Sequence, residues 1–292
     1  MSINSGTILV PIGFTDQSIV ALQQAVQFAK RTNSQLHLLS VIELPSAFAK
    51  LFSDSDSEIS RIKDLMSAKL DEVKNTYCSD LDNVNCIVST GKIYAKIIET
   101  AEIINASLII MGTDGSDQNI KKKFIGSNAL RVVRTASCPV ITIKGEVLKN
   151  DVNKIILPLD LHKETKEKVT LAIEYARDLN SEIKVVSVLF NNDDFIKNKL
   201  IRNLNQVEQF ISSKGIKCHS ELIEVNAKKD FLSSIINYSN TENADLIMIM
   251  TQQESEYTLN FLGSNAKYLI NHSSIPLVSV RPSQKRDMSG TA

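Results

Sequence analysis

The residues best suited to chemistry lie in one stretch of the chain. Met111 is followed by Gly112-Thr113-Asp114-Gly115, then ten residues, then Gly126-Ser127-Asn128. Glycine lets a backbone approach a ligand closely. Gly126-Ser127 opens a helical pattern, and the first amides of a helix have no partner within it. Those amides and the helix dipole together favour a phosphate. Ser127 can cap the helix or bond a phosphate oxygen. Lys121-Lys122-Lys123, in the same stretch, is either a solvated charge run or a partial neutraliser of phosphate. Gly112 and Gly115 alone are equally consistent with a tight strand-to-helix connection.

Other reactive residue types form no constellation. His37, His162, His219 and His272 show no metal-type spacing. His162 follows Asp160 by two residues, a conceivable acid/base or metal pair. Cys218 and His219 are adjacent in a predicted strand, so they point to opposite faces. Cys86 and Cys138 fall on predicted buried strands. No C-x-x-C spacing and no P-loop pattern occurs. Acidic runs at Asp54–Glu58 and Asp193-Asp194 open helices, where negative charge suits the dipole. Ser127 has no base beside it in the sequence, so nucleophilic catalysis lacks support.

The elements that must position the glycines come in two copies. Ile8-Leu-Val-Pro-Ile-Gly13 returns as Ile155-Ile-Leu-Pro-Leu-Asp160, and Phe124-Ile-Gly-Ser-Asn-Ala129 as Phe261-Leu-Gly-Ser-Asn-Ala266. Ser137-Cys-Pro-Val140 returns as Ser274-Ile-Pro-Leu277. The offset is 147 at the start of the repeat and 137 at its end. Each copy alternates short apolar runs with helical patterns. In the first copy, strands are expected at Thr7–Pro11, Gln35–Ile42, Val84–Ser89, Leu108–Met111 and Val140–Lys144. Helices are expected at Ser18–Lys30, Ser57–Asn75, Tyr94–Asn105 and Ser127–Thr135. The second copy repeats the series from strand 154–158 to strand 277–281, with helices expected at 165–179, 194–214, 228–240 and 264–272. Such alternation predicts a parallel sheet covered on both faces. Ligands then bind beyond the carboxyl ends of the strands. The expected domains are 1–147 and 148–283, with a polar, disordered tail over 284–292.

The 292 residues carry 33 Lys+Arg and 33 Asp+Glu, giving no net charge. A nucleic-acid binder should show a basic excess. No apolar run reaches the roughly 18 residues of a membrane span, and the N-terminus lacks a signal-peptide pattern. Tryptophan is absent and aromatics are 5%, so the core must be aliphatic and stacking platforms for single strands are disfavoured. Four cysteines without a framework fit a reducing cytoplasm.

A strand ending in Val-Pro, Gly-x-x-Gly after strand four, then Gly-Ser and a closing Cys-Pro-Val strand resembles the universal stress proteins, taken twice. The resemblance implies two tandem doubly wound α/β domains of the adenine nucleotide alpha hydrolase-like kind. It implies an adenine nucleotide, ATP foremost, with or without Mg. Carried over by position, the phosphate loop is Gly112, Gly115, Gly126 and Ser127, with Asn128 and Met111 beside it. The adenine and ribose side is Pro11, Ile12, Gly13 and Thr15, with Val41 at the end of strand two. Strand five of each copy is implied to sit at a sheet edge. Edges invite pairing, so the copies are expected to pair with each other, and two chains to associate further as a homodimer.

This chain departs from the family pattern in each copy. The family has nine residues where this chain has ten between Gly115 and Gly126. It also has an Asp where Gly13 stands, and losing one charged hydrogen bond weakens a nucleoside by about ten- to a hundredfold. The second copy keeps that Asp as Asp160 but loses the glycine loop. In the sequence alignment Glu254 stands at the place of Gly115, and the loop to Gly263 is two residues shorter. The first copy is therefore expected to bind nucleotide and the second not. A slow ATPase and a pure interaction module that binds no nucleotide are the competing readings.

Overall fold

The computed structural model describes residues 3–43, 56–113, 126–145, 151–159, 165–190, 193–251 and 263–281. In chain order the first half carries β1 (Thr7–Pro11), α1 (Asp16–Thr32), β2 (Gln35–Ile42), α2 (Asp56–Tyr77) and β3 (Val84–Thr90). It continues with α3 (Ile93–Ile103), β4 (Leu108–Gly112), α4 (Ser127–Thr135) and β5 (Val140–Ile143). The second half repeats the series. It runs β6 (Lys154–Pro158), α5 (Thr165–Leu179), β7 (Glu182–Leu189), α6 (Asp194–Ser213) and β8 (Cys218–Glu224). It closes with α7 (Phe231–Thr241), β9 (Leu246–Met250), α8 (Ser264–His272) and β10 (Leu277–Val280). A single 3-10 turn, Lys228–Asp230, leads into α7, so the helix expected from residue 228 begins three residues later. α1 starts two residues before the sequence pattern suggests, because Thr15 caps it.

All ten strands form one sheet in the order β3-β2-β1-β4-β5-β10-β9-β6-β7-β8. Within each half the strands are parallel. β5 and β10 alone run antiparallel, with Leu277 opposite Thr142 and Val278 opposite Ile141. Strands buried on both faces read as continuous apolar runs, and alternate residues go to opposite layers. Ile8 and Val10 join the layer under α1, α2, α5 and α6, while Leu9 joins the layer under α3, α4, α7 and α8. Each layer runs across both halves.

Polar ties cross the seam in pairs related by the repeat. The Arg281 guanidinium at the end of β10 donates to the Thr135 carbonyl at the end of α4, at 3.4 Å. The Lys144 ammonium beyond β5 donates to the Asn271 carbonyl near the end of α8. Cations suit helix carboxyl ends. Arg31 pairs with Asp151 at 2.5 Å, and the Ile3 and Asn4 amides donate to Asp178 at 2.9 and 3.2 Å. Positions 4 and 151, and 31 and 178, correspond by the offset of 147, so the same two contacts recur with the charges rearranged.

Tyr175 on α5 is fully buried, and its hydroxyl finds no hydrogen-bond partner. Burial pushes its pKa far up. At the equivalent place on α1 the chain carries Phe28, 3% exposed. A buried unpaired hydroxyl is destabilising by about 1–3 kcal/mol. Tyr175→Phe should therefore raise the urea midpoint, by about 1 kcal/mol of unfolding free energy. An unchanged or lowered midpoint would show that the hydroxyl has a partner.

Candidate functional site

The carboxyl ends of β1 and β4 lie side by side, because these strands pair through Ile8–Leu108 and Leu9–Ile109. Beyond Pro11 the Ile12 amide still donates to the Leu39 carbonyl at 2.8 Å, carrying β1 one residue further. Gly13 follows. A Cβ added there meets nothing within 4 Å. Phe14 then takes a left-handed backbone, φ 56°, which is uncommon for a bulky residue. The Lys69 ammonium on α2 sits 4.4 Å above its ring. Thr15 turns the chain into α1 through a reciprocal cap. Its hydroxyl accepts from the Ser18 amide, and its own amide donates to the Ser18 hydroxyl at 3.0 Å. Thr15 is thus already occupied in starting the helix. Val41 is half-buried near the end of β2, against the layer under α3 and α4.

At β4, Met111 is buried and Gly112 ends the strand. The reason for glycine here is packing. A Cβ at Gly112 would lie 2.7 Å from the Gln17 carbonyl oxygen of α1. Gln17 also reaches across to β5. Its amide nitrogen donates to the Ile143 and Gly145 carbonyls at 3.2 Å, and its oxygen accepts from the Gly145 amide at 3.3 Å. The Thr113 amide donates to Ile143 at 3.0 Å, and the Thr113 carbonyl accepts from Gly126 at 2.6 Å. This last bond pins the amino end of α4 beside β4. Gly126 is the N-cap residue of α4 and makes no side-chain cap. The amides of Ser127, Asn128 and Ala129 therefore open the helix without a capping side chain. Ser127 is exposed and Asn128 half-buried. Gln17 was invisible in the sequence, since it carries no motif, and only the close approach at Gly112 reveals it; Thr113 acts through its backbone, which its side-chain type does not signal. Asp114, Gly115, Lys121–Lys123, Asp160, His162 and Glu254 lie outside the described residues.

The second half closes the same turn by the same bonds. The Thr251 amide donates to Val280 at 2.8 Å, and Gly263 donates to the Thr251 carbonyl at 2.9 Å. This corrects the sequence alignment by one residue. Leu108 and Leu246 occupy equivalent registers, opposite Ile8 and Ile155. Thr113 therefore matches Thr251, and Gly112 matches Met250; Gly115 and Glu254 lie beyond this register, outside the described residues. The stretch between the pinned residues is 12 residues in the first half and 11 in the second, one shorter rather than two. Met250 packs its side chain on the core where Gly112 leaves none.

The remaining candidates are structural. Burial pushes the thiols of Cys78, Cys86 and Cys138 up to about 11 and that of Cys218 up to about 12. Such thiols are poor nucleophiles. His37 sits within β2, and burial lowers its pKa. Among the described residues no cluster of metal-ligating side chains occurs, and no helix is long and apolar enough to cross a membrane.

The model of the universal stress protein family matches residues 4–144 and again 152–281. The chain belongs to the universal stress protein family. A universal stress protein of Methanocaldococcus jannaschii is 28% identical over 139 residues, which is 47% of this chain and 81% of that one. A universal stress protein of Archaeoglobus fulgidus shares the fold across both halves, at TM-score 0.76 and 20% identity, covering 97% of this chain and 98% of its own. A further Archaeoglobus fulgidus universal stress protein, solved in complex with dAMP, covers 44% of this chain and 96% of its own at 18% identity and TM-score 0.37. The fold is thus that of a tandem universal stress protein, with a parallel sheet in each half.

The two glycines of this site should respond differently to a methyl group. Gly112→Ala forces the Gln17 backbone aside and should be destabilising by about 1–3 kcal/mol. Gly13→Ala meets open space and should change the urea midpoint by less than about 0.5 kcal/mol. Equal effects would contradict the packing role of Gly112.

Proposed function

We propose that the first half of this universal stress protein binds an adenine nucleotide, ATP foremost, and that the chain acts in the cytoplasm as a sensor or regulator of the stress response. The observation that carries this reading is the uncapped amino end of α4, pinned to β4 through Gly126 and Thr113. It stands at the end of the strand neighbouring β1, whose Gly13 loop has open space. Phosphates would lie on the amides of Ser127, Asn128 and Ala129, and the nucleoside along Pro11, Ile12 and Gly13 with Val41. The glycine-rich stretch from Gly112 through Gly115 would wrap the phosphate chain. The second half would serve pairing and support. Its α8 starts at Gly263 in the same uncapped way, but at the place of Gly112 it carries the Met250 side chain, packed on the core. We take 1–147 and 148–283 as the two units, working as a pair across β5 and β10.

Protein purified without added ligand, then denatured, should release about one adenine nucleotide per chain on ion-exchange chromatography. ATP at a hundred times its dissociation constant should stabilise the fold by about 2.7 kcal/mol. Gly126→Asp places a carboxylate at the phosphate end and should abolish both signals. Gly13→Asp restores the family's charged hydrogen-bonding group into open space, and should tighten ATP by about ten- to a hundredfold. No thermal response to any nucleotide would favour the interaction-module reading instead.

A further inference from the structure

The opposite end of the second half holds a cavity of about 730 Å³. Asn153, Arg177, Asn180, Lys214, Lys217 and Asn243 are among its lining residues. It lies at the amino ends of β6, β7 and β8, where α5, α6 and α7 finish. The repeat explains why it is charged as it is. In the first half Lys30, near the end of α1, pairs with Asp80 at 2.8 Å. Lys30 stands five residues before β2, as Arg177 stands five before β7. Asp80 stands four residues before β3, as Lys214 stands four before β8. The turns agree as well: Leu81 donates to Cys78 in one half, and Gly215 to Ser212 in the other, both at 3.0 Å. So the carboxylate that neutralises the cation on α1 is replaced, in the second half, by another cation.

The other charges at this end are already matched. Lys217 meets Glu182 at 2.6 Å, and Glu242 accepts from Lys154 at 3.1 Å with Lys184 at 3.3 Å. These lysines hold both carboxyls below the usual range. Asp245 accepts from the Asn153 and Lys154 amides at 2.9 and 3.0 Å. Arg177 has no carboxylate among the described residues, and Lys214 only faces the Phe210 ring at 5.3 Å.

We propose that this cavity is an anion site, in which a small phosphate-bearing polyanion stands between Arg177 and Lys214, where the first half supplies the Asp80 carboxylate from its own chain. A guanidinium offers a fork that matches phosphate oxygens, and an ammonium adds a point charge. Asn153, Asn180 and Asn243 add polar side chains around it. The carboxyl ends of three helices nearby repel anions, so the attraction comes from Arg177 and Lys214, and an anion with phosphate oxygens for both cations is held better than one that meets a single cation. The site is independent of nucleotide in the first half.

Inorganic pyrophosphate is the probe, read by amide chemical shifts and calorimetry on the full chain. Pyrophosphate should shift the amides of Gly215 and Asn243 in the wild type and equally in Gly126→Asp, which disables only the first-half phosphate end. Lys214→Asp rebuilds the first-half ion pair with Arg177. It should weaken pyrophosphate by at least about tenfold, the loss of one charge-assisted contact, while melting at or above the wild-type temperature. Arg177→Gln should weaken it similarly. Shifts confined to residues 126–129, unchanged affinity in Lys214→Asp, or no shift at millimolar pyrophosphate would each overturn the proposal.

Discussion

Two four-residue strands, β5 and β10, hold the molecule's architecture together. Their antiparallel pairing turns two five-stranded parallel sheets into one, and it lets both helical layers continue from half to half. A parallel sheet needs both faces covered, and each face here is covered by four helices, two from either half. The seam is apolar in its strands and polar at its rim. Lys144 and Arg281 reach from the strand ends to helix carboxyl ends across it. Without the seam, β5 and β10 would be uncharged edge strands with free backbone groups on one side.

The halves have kept their frame and diverged at their ends. The hydrogen bonds that close the turn after the fourth strand are the same in both, Thr113 with Gly126 and Thr251 with Gly263. What differs is what fills the space beside them. Gly112 lets the backbone of α1 come within contact of β4, while Met250 occupies the matching position with a side chain. At the far end the first half is closed by a lysine and an aspartate, and the second is opened by an arginine and a lysine. The strands beneath these differences stayed in register.

Most of the fold was legible because buried parallel strands write themselves as apolar runs and each helix shows one apolar face. The repeat made the reading stronger, since every element had to appear twice. The misplaced element edges have local causes: the Thr15 cap lengthens α1, and the 3-10 turn delays α7. The site was legible only in part. Gly126 and Ser127 were placed at a helix start by their sequence alone. Gly112 was read equally as room for a ligand and as a tight connection; its neighbour is Gln17, and contacts between residues 95 positions apart leave no local trace that would decide between them. The one-residue slip at the end of β4 arose because similar residues can slide along one another in a sequence alignment, whereas strand register cannot slip without turning side chains to the wrong layer.

The rearranged charges at the contact between α1 and α5 bear on how such a chain recognises itself. Arg31 meets Asp151, whereas Asp178 accepts from the amides of Ile3 and Asn4. Were two first halves to pair in this geometry, Arg31 would face Asn4 and lose its carboxylate. Were two second halves to pair, Asp178 would face Asp151 twice over. Only unlike halves satisfy the contact. Discrimination of this kind works as much by penalising wrong mates as by rewarding the right one. The charges thus favour a first half beside a second half over two like halves side by side.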